Sequence, residues 1–387
     1  MGTIAIVAVG YNRPDSIEQL LQSLLKADYA GNQVDLVVSL DKGQKQQEIV
    51  NVAEKIKWPH GEIIIRAFPE RQGLRAHIIQ CGDLTEQYDA VVVLEDDLMV
   101  SPYFYSYVKQ AIAKYADNGH IAGISLYKHQ THPGVNRPFE AANNGYDVYM
   151  QQFAMSWGQC WTREMWRKFR AWYNENEGKD LSEGNILPDY VSHWNKQSWL
   201  KFYMRYIVEN DKYFIYPYFS LTTNASDAGE HCRIPNNDFQ VSMQEGNMEY
   251  RFPSFEQAVK YDVFFERVGI EDKIFPELRG KKLLDLYGDR LNYEGADYLI
   301  STKALPYQVV KKAQLRYRPI EMNCLMPANG DGIFIYDMKC SSVAPKINKD
   351  ILTRYDVRSL HWKKILHLGW SGFVDAVLNK VQKEKKK

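Results

Sequence analysis

The chain has 387 residues, with 48 Lys plus Arg and 48 Asp plus Glu, so its formal net charge is zero. This length exceeds the ~250–300 residues at which a single hydrophobic core stops growing, so we expect a large domain with an extension or a second domain. The charge balance provides no whole-protein positive field, which argues against nucleic acid as a partner.

The cysteines argue against a disulfide framework and against a structural zinc site, because the five are widely spaced and form no Cys-x-x-Cys pair. The chain opens on a strand-like segment without the features of a signal peptide, and no apolar run reaches the ~18–20 residues that span a bilayer. We therefore expect a cytoplasmic protein that is soluble or lies peripherally on the inner face of the cell membrane.

In chain order, the N-terminal part alternates apolar, β-branched runs with segments of helical periodicity. Strands are predicted at 3–9, 34–40, 62–66, 91–94 and 120–126, and helices follow Asp15 and occupy 74–86 and 101–116. This alternation predicts an α/β fold with a mostly parallel sheet and helices on both faces. A long helical stretch is expected over much of 161–213, and the sequence beyond about residue 245 lacks strong periodicity.

The fourth predicted strand ends in three successive acids, Glu95, Asp96 and Asp97. Carboxyl ends of parallel strands are where open α/β sheets bind ligands, and three adjacent carboxylates repel one another unless a cation compensates them. A hard divalent ion, Mn²⁺ or Mg²⁺, held jointly by carboxylates and nucleotide phosphates, suits such a cluster. The alternative is an exposed acidic turn that follows a core strand.

Several motifs appear in a shared order. They are the Tyr-Asn-Arg-Pro segment at 11–14, Asp41 after the second strand, the Arg-Gln-Gly-Leu-Arg turn at 71–75, the acids at 95–97, and a Ser-Trp-Gly segment with a second Trp within 152–161. Together, over roughly residues 1–235, they resemble the GT-A fold, nucleotide-sugar-dependent glycosyltransferases. The similarity is greatest to the N-acetylglucosaminyltransferase I type and to bacterial surface-polysaccharide transferases, which implies a Rossmann-like GT-A domain.

The resemblance implies roles for individual residues. It assigns Asp97 to the metal, and it suggests His231 as a second metal ligand with Asp227 as a neighbour, the alternative for His231 being a solvent-facing loop histidine. Glu95 and Asp96 would face the ribose and the donor sugar, and Asp41 the base or ribose. The nucleotide-sugar site would also include Asn12, Arg13 and Arg71. Both arginines are candidates for the diphosphate because guanidinium matches phosphate geometry, the alternative being solvated loop cations.

Aromatic residues are candidates for a wall against the sugar, since an indole suits the apolar face of a pyranose. Trp157, beside Gly158, is assigned to this function, whereas Trp161 and Trp166 are expected in the core. With 9 Trp and 26 Tyr, the chain buries many aromatics simply as core.

The general base is the weakest part of the pattern. The resemblance implies a carboxylate just after a Trp, but the segment at 198–202 reads Ser-Trp-Leu-Lys-Phe and contains no acid. Asp189 is the nearest acid in a plausible loop and is the candidate base for an inverting displacement. Its alternative is a turn aspartate after a proline.

Three regions are expected: a GT-A domain at 1–240, an extension of unknown role at 241–355, and an amphipathic basic helix with a tail at 356–387. Residues 358–387 contain eight basic residues and two acids, and apolar residues recur there at spacings of three and four. A basic amphipathic helix with Trp in its apolar face fits the surface of an anionic membrane. The alternative is a helix docked on the protein itself.

The sequence therefore predicts a metal-dependent glycosyltransferase that moves a hexosyl or N-acetylhexosaminyl group from a nucleoside-diphosphate sugar, with a UDP-sugar favoured. The acceptor would be a hydroxyl of a glycan or lipid-linked molecule in bacterial surface polysaccharide synthesis. The alternatives are a non-catalytic nucleotide-sugar-binding or scaffold protein on the same fold, and a nucleotidyltransferase. A dinucleotide oxidoreductase is disfavoured because no Gly-x-Gly-x-x-Gly opens the first helix.

Overall fold

The computed structural model describes residues 2–181, 186–225 and 239–357, together with residues 363, 365–366, 369–370 and 372–374. The elements in the first range are β1 (Ile4–Gly10), α1 (Pro14–Leu25), β2 (Asp35–Leu40), α2 (Gln46–Glu54), β3 (Ile63–Ala67), α3 (Leu74–Gly82), β4 (Ala90–Glu95), β5 (Leu98–Val100), α4 (Phe104–Tyr115), β6 (Ile121–Ser125), β7 (Thr131–His132), β8 (Arg137–Pro138), β9 (Val148–Gln151), β10 (Gln159–Thr162) and α5 (Arg163–Asn176). They are followed by α6 (Asp189–Ser192), α7 (Trp199–Glu209), β11 (Tyr213–Pro217) and β12 (Thr222–Asn224). The remaining elements are β13 (Lys260–Tyr261), β14 (Arg267–Val268), β15 (Lys282–Asp285), β16 (Tyr298–Ser301), β17 (Tyr307–Gln314), α8 (Met322–Leu325), β18 (Gly332–Ser341) and α9 (Lys349–Asp356).

A ten-stranded sheet organises the fold, in the order β14-β13-β9-β11-β6-β10-β4-β1-β2-β3. The four strands β4, β1, β2 and β3 are parallel neighbours. β10 lies between β4 and β6 and is antiparallel to both, while β11 is parallel to β6. The fold class is therefore α/β, with a mostly parallel Rossmann-like sheet, as the sequence predicts.

The β-branched runs form strands because both faces of the sheet are covered. Successive residues of a strand, which point to opposite faces, are therefore all buried. Val7 and Val93 face one core, which includes aromatic residues of α5 and α7. Ile6, Val92 and Leu94 face the other core, which is formed with α1, α2 and α4. Helices on both faces thus fix the strand ends, where the candidate site lies.

The long helix expected over much of 161–213 is wrong, because the described residues there form three separate helices, α5, α6 and α7. α5 begins after Thr162, whose hydroxyl accepts a hydrogen bond from Met165 N, and α7 begins after Ser198, which caps it in the same way. Ser and Thr at these positions start new helices rather than continue old ones. Aromatic residues at helical spacing gave no sign of this interruption.

The extension contains more sheet than its sequence suggested. β13 and β14 join the edge of the main sheet, and β15 to β18 form a four-stranded sheet in the order β15-β16-β18-β17. Leu284, Ile300 and Ile335 of this second sheet belong to one of the two main cores. The boundary at residue 240 stays a prediction.

Across the described parts of the chain, no helix is both long enough and apolar enough to cross a membrane. Four of the five cysteines lie there, and all four are free thiols: Cys81, Cys160 and Cys324 are buried, and Cys340 is exposed.

Candidate functional site

The acids lie at the point where the strand order reverses. β1 pairs with β2 on one side and with β4 on the other, and Val9 is the register partner of Glu95. Because adjacent parallel strands end at the same edge, the turn after β1 and the turn after β4 face each other. The topology therefore brings Arg13 next to Asp96 and Asp97.

Arg13 bridges both aspartates. Its Nη1 donates to Asp97 Oδ2 at 3.1 Å, and its Nη2 donates to Asp96 Oδ1. The Arg13 carbonyl also accepts a hydrogen bond from Ile17 N at 3.1 Å, so the start of α1 fixes the arginine backbone. The acid cluster thus has one cation from the protein itself.

Burial makes this cluster electrostatically costly. Burial, reinforced by the neighbouring charges of Asp97 and Asp96, raises the pKa of Glu95 to about 8. Burial likewise raises the pKa of Asp96 to about 6, although Arg13 opposes the shift. One guanidinium therefore compensates only part of the negative charge, and a further cation at this position would be bound favourably.

Asp97 carries the atom best placed for such a cation. Its Oδ1 is buried and has no hydrogen-bond partner, an arrangement that is costly for a carboxylate oxygen. An oxygen ligand of this kind fits Mn²⁺ or Mg²⁺. Within the described ranges, no three His, Cys, Asp or Glu side chains converge as a complete metal site, so a bound ion would need additional ligands.

His231, the predicted second metal ligand, and its neighbour Asp227 lie outside the described residues. The flanking residues are described, however. Ala225 N donates to the Asp97 carbonyl at 2.7 Å, and the Phe239 ring lies 4.7 Å from the ring of Trp157. The described residues that flank 226–238 therefore contact Asp97 on one side and Trp157 on the other.

The candidate nucleotide end of the site is built on Asp41, which is buried. Its Oδ1 accepts hydrogen bonds from Lys42 N at 2.8 Å and Gln72 N at 2.7 Å, and its Oδ2 accepts one from Gly73 N at 2.9 Å. Asp41 therefore orders the turn that starts α3. A carboxylate offers about four lone-pair sites, so a ligand donor can still bind it.

Arg71 and Asn12 line the same turns. The Arg71 guanidinium lies 4.8 Å from the centre of the Tyr11 ring, which holds the cation by a cation–π contact. Asn12 Oδ1 accepts a hydrogen bond from Lys45 N at 3.1 Å, so it ties the turn after β1 to the turn after β2. Whether either residue contacts a nucleotide stays a prediction.

Trp157 lies at the edge of a small aromatic group. Its ring is 4.9 Å from Tyr127 and 4.7 Å from Phe239, and it remains half-buried. Gly158 follows with φ of 95°, and the Trp157 carbonyl accepts a 2.6 Å hydrogen bond from Thr222 Oγ1. A partly exposed, rigid indole of this kind can form a sugar-binding wall.

Trp161 and Trp166 are buried within the core, as expected, with their ring centres 4.6 Å apart and the rings tilted by 46°. Sequence reasoning missed Tyr127 and Phe239 as partners of Trp157. Tyr127 follows a predicted strand, which was the one available signal, whereas nothing near Phe239 in the sequence pointed to it.

Asp189 begins the short helix α6 and is exposed. His193 Nδ1 lies 3.5 Å from Asp189 Oδ1. The following segment contacts α3, since Arg75 Nη1 donates to the Lys196 carbonyl at 3.3 Å. Trp199 is buried against Trp161 at 5.7 Å, and Lys201, two residues further on, is also buried.

Comparison with known proteins gives few relatives by sequence. Residues 15–175 match a family model described as the SPBC1E8.03c C-terminal domain. A search of curated proteins returned no match.

Solved structures give distant similarities. One is the mannosyltransferase PcManGT from Pyrobaculum calidifontis in complex with GDP-Man and Mn²⁺, at 14% identity and a TM-score of 0.31 over 42% of this chain and 45% of that chain. Another is S. aureus TarS 1–349 in complex with UDP-GlcNAc, at 13% identity and a TM-score of 0.38 over 59% of this chain and 60% of that chain. The chain therefore spans less than two thirds of the length of either structure.

Proposed function

We propose that this protein is a GT-A type glycosyltransferase that uses a nucleoside-diphosphate sugar as donor, preferably a UDP-sugar. The observation that supports this function is the meeting of Arg13 with Asp96 and Asp97 at the topological switch point, with Asp97 Oδ1 buried and unpartnered. Mixed cationic and anionic groups at the carboxyl edge of a Rossmann-like sheet suit a diphosphate and its counterion.

In the proposed reaction, an acceptor hydroxyl oxygen forms a bond to the anomeric carbon of the donor sugar. The bond from that carbon to the diphosphate oxygen breaks, and the diphosphate leaves with the electron pair. Arg13 and Arg71 would hold the diphosphate, Asp41 and Asn12 the nucleoside, and Glu95 with Asp96 the ribose and donor sugar. The Trp157 ring and Gly158 backbone would form one wall of the sugar site.

Asp97, with His231 as a second ligand, would hold Mn²⁺ or Mg²⁺. Such an ion, when bound, supplies positive charge that stabilises the leaving diphosphate. The protein's own contribution is to fix the Asp97 carboxylate. The Asp97 backbone carbonyl accepts a hydrogen bond from Ala225 N, and its Oδ2 accepts one from Arg13 Nη1. The ligand atom is thereby oriented before the donor arrives.

Asp189 is the proposed base that removes the acceptor proton in an inverting displacement. Contact between Arg75 and the Lys196 carbonyl keeps the segment containing α6 close to the start of α3, on the side of the sheet that carries the proposed donor site. An exposed carboxylate beside His193 is accessible to an incoming acceptor.

The acceptor is proposed to be a glycan or lipid-linked molecule of bacterial surface polysaccharide synthesis, met by a cytoplasmic enzyme at the membrane surface. Support for the membrane comes from the C-terminal segment, where the described residues within 363–374 are helical. Five large apolar side chains there are exposed: Ile365, Leu366, Trp370, Phe373 and Val374. With eight basic residues in 358–387, such a face suits an anionic lipid surface.

A second candidate function is a non-catalytic nucleotide-sugar-binding protein. The observation that favours it is the segment at 198–202, which holds a buried lysine, Lys201, and no acid, although the resemblance implies a catalytic carboxylate just after the Trp. This candidate shares the donor site with the enzyme but predicts no release of free nucleoside diphosphate.

One experiment separates the two. Thermal shifts of the full chain are measured with UDP-, GDP- and dTDP-sugars with and without Mn²⁺, and nucleoside diphosphate release is measured in parallel. The enzyme predicts a Mn²⁺-dependent rise in melting temperature together with release, and Asp97→Asn removes both. A rise without release supports the binding protein, and neither effect for any donor contradicts both functions.

A further inference from the structure

A cavity of about 340 Å³ lies between α3, α7 and the segment after α5. Arg75 lines it from α3, Lys201 and Phe202 line it from α7, and residues 177–181 and 196–197 close the remaining sides. Its volume is in the range of small-molecule sites. None of the roles proposed above uses it.

The cavity lies at the sheet edge that carries the acid cluster. α3 follows the parallel strand β3, and Gly73 at its start is bonded to Asp41. α7 precedes β11, which runs parallel to β6, so α7 also begins at the carboxyl edge of the sheet. The first turns of both helices therefore line the cavity, and helix N-termini favour negative charge.

The lining is rich in cations. Four basic side chains, Arg75, Lys179, Lys196 and Lys201, face two carboxylates, Glu177 and Asp180. Excess positive charge in a concave site raises the local concentration of anions.

Lys201 is the second independent sign of an anionic ligand. The residue is only 6% exposed, and its Nζ donates to the Ser192 carbonyl at 2.6 Å, which uses one of its three N–H groups. Burial, together with the like charge of Lys196, lowers the pKa of the ammonium, although Asp180 opposes the shift. A ligand anion would offset the cost of holding this charge beside another cation.

Arg75 is already held in a defined orientation. Its Nη1 donates to the Lys196 carbonyl at 3.3 Å, and its guanidinium lies 5.0 Å from the centre of the Phe202 ring. A planar guanidinium fixed in this way loses little freedom when it binds a phosphate or carboxylate.

We propose that this cavity binds a phosphate or carboxylate group carried by the acceptor. The proposal rests on the proposed glycosyltransferase function and names the acceptor class as an anionic glycan or sugar phosphate. It also gives a role to the buried lysine two residues after Trp199, since Lys201 would recognise the acceptor charge.

The test titrates the full chain, without nucleotide sugar, with glucose 6-phosphate, glucuronate and inorganic phosphate, using glucose as the neutral reference and calorimetry as the readout. The double variant Lys196→Gln/Lys201→Met removes two cavity charges and keeps the aliphatic length of Lys201. Lys55→Gln/Lys57→Gln is the matched control, because both lysines are exposed just after the end of α2 at Glu54, and the net charge change is equal. Circular dichroism checks that each variant folds, and the exposed single variant Lys196→Gln replaces the double variant if that one does not.

We expect the charged ligands to bind and glucose not to bind, with at least a tenfold weaker affinity in the cavity variant and no change in the control. Equal binding of glucose, or equal weakening in both double variants, would overturn the proposal. Displacement of glucose 6-phosphate by UDP, lost in Asp97→Asn, would also overturn it, because the cavity would then belong to the donor. Binding of the charged ligands without any glycosyl transfer would support the cavity as an anion site and contradict only the transferase function.

Discussion

The Arg13 guanidinium lies 3.1 Å from the Asp97 carboxylate, which is the group proposed to hold a divalent ion. The side chain of Arg13 is 27% exposed and that of Asp97 is 15% exposed, so the pair is partly shielded from water. A guanidinium and a divalent cation repel each other at such a distance. Arg13 therefore supplies positive charge to the carboxylate that is proposed to hold the metal. When the metal and the nucleotide are both bound, the guanidinium would turn to the diphosphate.

We expect Arg13→Gln to raise the affinity for Mn²⁺ alone by roughly tenfold, about 1.4 kcal/mol, because a competing positive charge is removed. The same variant should bind UDP more weakly by a similar factor, because a phosphate ligand is lost. Calorimetric titration with Mn²⁺ and then with UDP measures both changes.

Arg167→Gln is the control for Arg13→Gln, because Arg167 forms an exposed ion pair with Glu164 on α5. Its titrations should equal those of the wild type. Unchanged Mn²⁺ affinity in Arg13→Gln would show that the arginine and the metal do not share Asp97.

Gly158 supports the position of Trp157, and its φ of 95° is one that side-chain-bearing residues rarely adopt. A Cβ at this position would lie 2.9 Å from Thr222 Cγ2, close to the hydroxyl that bonds the Trp157 carbonyl. We expect Gly158→Ala to lower the free energy of unfolding by about 1–3 kcal/mol. Urea denaturation measures the change.

Gly119→Ala gives the comparison for Gly158→Ala, because a Cβ at Gly119 meets nothing within 4 Å. Its free energy of unfolding should change by less than about 0.5 kcal/mol. If the two variants are equally stable, the backbone at Gly158 is not strained.

Asp189 is tested as the base by Asp189→Asn, which keeps the shape of the side chain and removes its ability to accept a proton. General bases contribute about 10²–10⁴ to rate, so turnover should fall by that factor while donor affinity stays the same. The rate of UDP release and the affinity for UDP separate the two quantities. A loss below about threefold would assign the proton to another group.

The sequence predicted the parts of this fold that depend on local pattern. Strands β1 and β4 are mostly apolar and rich in β-branched residues, and their ends could be read from the polar residues that follow, including Arg13 and Asp97. Their meeting follows from the rules for parallel sheets. The abundance of aromatic residues also placed Trp161 in the core, since a chain with 9 Trp and 26 Tyr buries many of them.

Other features depend on contacts distant in the chain, which local periodicity does not encode. Phe239 reaches Trp157 across 82 positions, a closeness that only the folded chain shows. The cavity beside Lys201 needs α3, α7 and the segment after α5 together. The second sheet was missed because β17 is largely exposed and therefore has no clean alternation of buried and exposed residues.

His129 makes the stability of the fold depend on pH. Burial, together with His132, lowers the pKa of His129 to about 3, and its Nε2 has no hydrogen-bond partner. The folded protein therefore binds fewer protons than the unfolded chain between about pH 3 and 6.5, so stability falls as the pH drops through this range. One such histidine accounts for up to about 1.4 kcal/mol per pH unit.

We expect His129→Phe to flatten this dependence, because phenylalanine suits the surrounding rings of Phe153, Tyr216 and Phe265 and cannot bind a proton. The free energy of unfolding is measured in urea at pH 7, 6 and 5. The free energy of unfolding of His129→Phe should fall less with pH than that of the wild type. The curve for His193→Phe, at an exposed position, should run parallel to the wild-type curve. Parallel curves for His129→Phe would mean that this histidine is protonated in the fold.

The C-terminal apolar face gives the last prediction. Trp370 is 68% exposed and Phe373 is 61% exposed, and their rings lie 6.1 Å apart. Burial of such side chains in a lipid interface is worth about 1.5–3 kcal/mol each, and nearby basic residues add attraction to anionic headgroups. Trp370→Ser/Phe373→Ser should therefore weaken sedimentation with phosphatidylglycerol vesicles by at least tenfold.

Val343→Ser, at a 91% exposed apolar position outside this face, should leave sedimentation unchanged. Because charge and apolar burial act together, wild-type binding should also fall with added salt and be weak on phosphatidylcholine alone. Equal sedimentation of all three proteins would show that the segment does not bind lipid through these rings.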